Sequence, residues 1–195
     1  MTPLAWAHAQ LPHVPTLLLE QAHLEKKAAA SAMQFLFRVP VDHESLRGLS
    51  ALAREELVHF ERTLRLLGAR GIEYGAQPPC AYAARLKAAV ASALPERLVD
   101  DLLVAAVIEA RSHERMGLLA QALVATDGEL AAFYADLCAA EERHAGIYVE
   151  LAATVMPAAS VALRHAAMLQ HEATVLAQLP WSPRLHSGLV GLQLG

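Results

Sequence analysis

Glu25 is followed by Glu56 and His59, and Glu109 is followed by Glu141 and His144. The gaps from Glu25 to Glu56 and from Glu109 to Glu141 are 31 and 32 positions, and each His stands three residues after its Glu. The chain thus writes a Glu and then a Glu-x-x-His twice. Few architectures need such a set. A four-helix bundle that holds two metal ions does, with one Glu from each of two helices and a Glu-x-x-His from each of the other two. One Glu-x-x-His alone would be an ordinary solvent-facing pair worth about 0.3 kcal/mol. Two matched copies are not explained that way.

The faces on which these residues fall support the reading. Residues three, four and seven apart share a helix face. Glu25 shares its face with Leu18, Ala22, Ala29 and Ala32, and Glu56 with Leu52, Ala53 and Phe60. Glu109 follows the apolar run Leu102 to Ile108, and Glu141 and His144 share faces with Leu137, Tyr148 and Leu151. A charge on an apolar face is costly unless paired or metal-bound. At i and i+3 a carboxylate and an imidazole reach one ion, and a carboxylate can bridge two. Four carboxylates and two imidazoles suit iron or manganese, and two divalent ions balance the four carboxylates. Glu55 and Glu142 neighbour the pattern but are expected at the surface or behind the ligands. His113, one turn past Glu109, lines the pocket or packs in the core. His23, His43, His165 and His171 are expected to be ordinary.

The remaining sequence is compatible with such a bundle. Hydrophobic residues make up 55%, much of it Ala and Leu, both strong helix formers. Pro12 and Pro15 mark an irregular start. Helices are predicted from Thr16, as N-cap, to Arg38, ended by Pro40, and from Asp42 or His43 to about Leu67, stopped by Gly68 and Gly71. A shorter crossover helix runs from Ala81 to about Ala93. Pro95 opens a third long helix to about Ala125, Asp127 caps a fourth to about Val155, and a fifth covers Ala158 to Gln178. The region from Gly68 to Pro95 connects two similar halves. The apolar tail Gly188 to Gly195 docks on the bundle or on a second copy. One domain over 1–195 is expected, with a core of about 16–156 and a C-terminal helix and tail at 157–195.

No apolar run reaches the about 18 residues of a membrane span, and Met1 to Gln10 lacks the pattern of a secretory signal. Cys80 and Cys138 are isolated, which suits a reducing cytoplasm. The formal charge is −4, from 16 basic and 20 acidic residues. With four Glu neutralised by metal the remainder balances, so net charge does not exclude a nucleic-acid partner.

The segments around the pattern carry more than ligands. His23-Leu24-Glu25-Lys26-Lys27-Ala28-Ala29, Ala53-Arg54-Glu55-Glu56-Leu57-Val58-His59-Phe60-Glu61, Ile108-Glu109-Ala110-Arg111-Ser112-His113-Glu114-Arg115 and Glu141-Glu142-Arg143-His144 resemble the tRNA hydroxylases of the MiaE type over roughly Leu17 to Leu151. Position 113, often Cys in that family, is His here. The resemblance implies an all-α, ferritin-like four-helix bundle with an additional short crossover helix and a C-terminal helix. It implies two Fe ions, with Glu25 and Glu109 as terminal ligands, Glu56 and Glu141 bridging, and His59 and His144 completing the sites. It implies a monooxygenase that uses O2 to hydroxylate the isopentenyl side chain of 2-methylthio-isopentenyl-adenosine beside the tRNA anticodon. Electrons would come from a reductase or ferredoxin-like donor, since the chain has no flavin or iron–sulfur motif. A cytoplasmic monomer or small homo-oligomer, with no membrane partner, is expected.

A tRNA substrate calls for a cationic rim near the pocket mouth. Lys26, Lys27, Arg38, Arg54, Arg62, Arg65, Arg70, Arg111 and Arg115 are the candidates, with Arg54, Arg111 and Arg115 equally suited to back the carboxylates. Two other functions share the metal residues: a diiron oxidase acting on a small molecule or lipid, and an iron- or peroxide-handling protein.

Overall fold

A computed structural model of the protein describes residues 1–39 and 42–192. Seven α-helices account for most of it: α1 Leu4–Gln10, α2 Val14–Phe35, α3 His43–Ala69, α4 Ala81–Lys87, α5 Glu96–Leu123, α6 Gly128–Val155 and α7 Ala158–Gln178. Among the described residues the one β feature is an isolated parallel bridge between Pro180 and Val190. Two compact units emerge, His13–Pro79 and the pair of segments Met1–Pro12 with Cys80–Gly195.

The first unit is the helical pair α2 and α3. Asp42 caps α3 by accepting the Ser45 amide at 2.7 Å, which satisfies a donor that the first turn leaves open. Gly68 continues α3, and Gly71, at φ 66°, ends it, in a left-handed conformation that costs glycine little. The loop that follows folds back on α2. Gly75 O and the ring of Tyr74 both meet His23, and Gln77 Nε2 donates to Thr16 O at 3.2 Å. The predicted break at Pro40 falls outside the described residues.

In the second unit α5 pairs lengthwise with α6 and also touches α1, α4 and α7. Its buried residues run almost around the helix, from Leu98 and Val99 to Leu102, Leu103, Val104, Ala106 and Val107, as expected of a helix covered on several sides. Asp127 caps α6 through the Leu130 amide at 3.1 Å. Tyr82 and Leu86 of α4, Val104 and Val107 of α5, and Met168 and Val175 of α7 form one apolar cluster.

Three expectations need correction. The N-terminal segment is helical, because α1 is held by tertiary contacts that a seven-residue pattern does not advertise. Its Trp6 is fully buried and donates through Nε1 to Ser187 Oγ at 3.1 Å. Thr16 does not cap α2; the helix begins at Val14 with Pro15 in its first turn, where a missing N–H costs nothing. The helix α4 stops at Lys87 rather than about Ala93. There Asp100 Oδ2 accepts the Ala91 amide at 2.9 Å, and Leu94, preceding Pro95, is disfavoured in helical conformation.

The tail from Leu179 docks within the second unit. Trp181 N donates to Val190 O and Gly188 N to Pro180 O. A Cβ on Gly188 would lie 1.7 Å from Leu179 O, so only glycine fits this approach. The fully buried Arg115 donates to Leu185 O at 2.5 Å and Ser187 O at 2.7 Å and lies 4.7 Å over the Trp6 ring. Burial and the nearby Arg111 pull its pKa down to about 10, so it remains a cation at neutral pH. Residues 193–195 of the tail lie outside the described residues.

Replacing Arg115 by Met strands two buried carbonyls, and urea denaturation is expected to show a loss of about 3 kcal/mol. A second effect concerns acid. Burial raises the pKa of Glu114, but the Thr2 amide and hydroxyl and Arg111 outweigh it and hold the carboxyl below its ordinary 4.5. Its contribution is therefore complete above pH 4.5 and lost as the pH falls through the lowered value. Thermal melts of Glu114→Gln are expected to lose less stability than the parent between about pH 5 and pH 3.

Candidate metal centre

Each unit carries one copy of the doubled motif. In the first, α2 supplies Glu25 and α3 supplies Glu56 and His59, with exposures of 2%, 0% and 4%. Ligand atoms of all three lie within 4.8 Å of one another. His59 Nδ1 is 3.6 Å from Glu25 Oε2 and 3.7 Å from Glu56 Oε2. In the second unit Glu109 is buried on α5, and Glu141 and His144 are buried on α6. His144 Nδ1 stands 3.9 Å from Glu141 Oε2. The two i, i+3 pairs therefore use the same imidazole nitrogen toward their own carboxylate.

Why these side chains are inward follows from local sequence. Glu25 shares its buried face with Leu18, Ala22, Ala29 and Ala32. Small alanines leave room beside the carboxylate. Glu56 lies beside the buried Leu52 and Ala53, and His59 is steadied by Thr63, whose hydroxyl donates to His59 O at 2.8 Å. Burial pushes the Glu25 pKa up to about 8, with Glu56 adding to the rise and His59 opposing it. Burial pulls His59 down, but Glu25 and Glu56 outweigh it and lift the imidazole to about 9. Protons on Glu25 and His59 are what a cation must displace on binding.

The donor set fits a metal. Each unit offers two buried carboxylates and one imidazole, hard oxygen with borderline nitrogen, as iron or manganese prefers. Gln21 is a participant that the motif does not contain. Its Nε2 donates to Glu25 Oε1 at 2.5 Å, buried, from one turn earlier. The i, i+4 spacing to Glu25 is the signal that identifies it. The neighbouring acids behave as expected: Glu142 is exposed and Glu55 is half-buried. His113 is held by α6, with Nδ1 2.9 Å from Cys138 O and 3.4 Å from Cys138 Sγ. His23 and His171 meet backbone carbonyls of Gly75 and Arg85; the side chain of His43 lies outside the described residues.

Two expected rim cations are structural instead. Arg115 is the buried clamp on the tail. Arg111 bonds Glu172 through Nε at 2.7 Å and NH2 at 2.8 Å, and also meets Glu114 and Thr2. Burial opposes the Arg111 charge, and Glu172 more than compensates, so its pKa is raised.

The chain is similar to known proteins in both fold and sequence. A solved structure titled "Protein 43 with aldehyde deformylating oxygenase activity from Synechococcus" matches with a TM-score of 0.86 and 38% identity, over 94% of this chain and 92% of that one. The fold is thus all-α and ferritin-like, of the diiron oxygenase class, and the chain is an enzyme. The family model described as tRNA-(MS[2]IO[6]A)-hydroxylase (MiaE) matches residues 1–187, and the chain belongs to that family. A tRNA 2-(methylsulfanyl)-N(6)-isopentenyladenosine(37) hydroxylase from Pseudomonas putida is 38% identical over 96% of this chain and 90% of its own. The protein of the same name from Salmonella typhimurium is 35% identical over 71% of this chain and 50% of its own length. Among the described residues no helix is long and apolar enough to cross a membrane.

Metal is expected to raise the melting temperature, since it binds the folded ligands and not the unfolded chain. Differential scanning fluorimetry with ferrous iron under nitrogen is expected to show this shift at pH 8 and a smaller one at pH 6, where protons compete for Glu25 and His59. Glu56→Ala is expected to lose most of it.

Proposed function

We propose that Glu25, Glu56, His59, Glu109, Glu141 and His144 hold two iron ions, and that residues 1–195 act as one diiron domain. The substrate is the isopentenyl side chain of 2-methylthio-isopentenyl-adenosine in tRNA, beside the anticodon. The observation that carries this reading is the buried Glu, Glu, His set in a chain whose match to a tRNA hydroxylase family runs from residue 1 to residue 187. A diiron centre supplies, when bound, the activation of O2 needed to oxidise an unactivated C–H bond.

The chain's own residues have simpler tasks. Four carboxylates offset the charge of two divalent ions, so that the loaded site is close to neutral. Gln21 fixes one oxygen of Glu25, leaving the other directed to His59 and the metal position. The alanine- and leucine-rich faces of α2 and α5 exclude water. One oxygen atom of O2 enters the C–H bond, and the other leaves as water with two protons and two electrons. Those electrons come from a reductase or ferredoxin-like donor. A tRNA substrate implies a cytoplasmic enzyme, working as a monomer or small homo-oligomer.

One observation favours a second reading. The solved structure with aldehyde deformylating oxygenase activity in its title is as similar in sequence, 38%, as the Pseudomonas hydroxylase. The two readings separate in one experiment. Iron-loaded protein with a chemical reductant and O2 is given isopentenylated tRNA or a long-chain aldehyde. Nucleoside mass spectrometry is expected to show a 2-methylthio-isopentenyl-adenosine gaining one oxygen, and Glu109→Ala is expected to lower this at least 100-fold. Unchanged tRNA base with consumption of the aldehyde would transfer the assignment to the second reading.

A further inference from the structure

Lys26 and Lys27 are exposed on α2, and Arg38 is exposed in the turn that prolongs the helix. At 3.6 residues per turn, Lys26, Lys27, Ala30 and Gln34 share one outward face, opposite Glu25. From Lys26 to Val39 there is no Asp or Glu. The unit His13–Pro79 carries eight Lys and Arg, and three of its eight acids, Glu20, Glu25 and Glu56, are buried. Its surface is therefore cationic, although the whole chain carries −4.

Aromatic rings interleave with these cations. Phe37 is 85% exposed, an unusual position for a phenylalanine. Tyr74, 37% exposed, stacks on His23 with centroids 5.0 Å apart, and its hydroxyl accepts from Lys26 Nζ at 2.7 Å. Phe60 meets the edge of the Tyr74 ring at 6.1 Å. The Arg38 guanidinium lies 5.5 Å from the Phe35 ring. From Lys26 to Arg38 the strip is about 18 Å long.

We propose that this strip docks the single-stranded loop of an RNA substrate, with phosphates on Lys26, Lys27 and Arg38 and bases stacking on Phe37 and Tyr74. Exposed aromatics beside cations, on a stretch of α2 and its turn that carries no acid from Lys26 to Val39, are the combination that single-stranded nucleic acid needs. A second copy of the chain fits worse, because a two-fold contact through this strip sets cations against cations. The inference rests on the tRNA reading above. The strip faces away from Glu25, so it anchors RNA and does not deliver the base; its loss raises KM and leaves kcat unchanged.

The test is fluorescence anisotropy with a labelled, unmodified anticodon stem-loop RNA, which reads docking without chemistry. Lys26→Gln/Lys27→Gln/Arg38→Gln is expected to weaken binding at least tenfold and to reduce the slope of log Kd against log salt by about 2. Phe37→Ala and Tyr74→Ala are expected to weaken it severalfold with the slope kept. Arg85→Gln/Lys87→Gln/Arg97→Gln, exposed cations of the other unit, serves as control. Binding by the parent with no greater loss in the strip variant than in the control overturns the proposal and leaves the tRNA reading intact. A parent that binds no RNA at all also overturns the proposal, and the tRNA reading is then decided by nucleoside mass spectrometry on the isopentenylated tRNA. A dimer in sedimentation that Phe37→Asp dissociates, with RNA binding unaffected, assigns the strip to self-association and also overturns it.

Discussion

Burial of negative charge in helices made largely of alanine and leucine is the constraint on which the rest of the structure depends. Such burial is expensive unless something answers the charge. The protein answers it in two ways. Acids that serve the scaffold meet arginine: Asp100 receives two 2.7 Å bonds from Arg164, and Glu172 is gripped by Arg111. Glu25 instead meets Gln21 and His59. A neutral amide and a titratable ring yield to a metal ion, whereas a guanidinium would occupy the same oxygens permanently. The identity of the partner, more than depth of burial, separates a structural carboxylate from a prospective ligand.

The motif was readable because its spacing couples chemistry to helix geometry. Glu56 with His59 and Glu141 with His144 must share a face wherever a helix forms, and caps such as Asp42 and Asp127 act locally. Features that depend on distant residues were not readable. Helix α1 exists because Trp6 finds Ser187, and α4 ends early because Asp100 captures the Ala91 amide. Pro15 illustrates a smaller ambiguity, since the same residue breaks a helix or begins one according to its place in the first turn. Composition cannot resolve that choice.

The arginines show how local sequence can mislead about function. Arg111 and Arg115 stand within two turns of Glu109 and look like material for a binding rim. Both turn inward, one to Glu172 and the other to the backbone of the tail. The remaining surface charge is unevenly distributed as a result, with the cationic excess on the α2–α3 unit.

The second unit is assembled from two stretches that are distant in sequence, Met1–Pro12 and Cys80 onward. Arg115 and Trp6 both wait for Ser187 to complete their bonds. The pair α2 and α3, by contrast, is contiguous and rich in local contacts, the kind of topology that closes fast. During synthesis the helical pair can therefore form early, while α1 emerges first, meets α5 only after residue 96 and completes its bonds only when the tail exists. A ribosome stalled before residue 187 would hold a chain in which Trp6 and Arg115 still lack their bonds to the tail, an incompletely packed state open to chaperones and proteases.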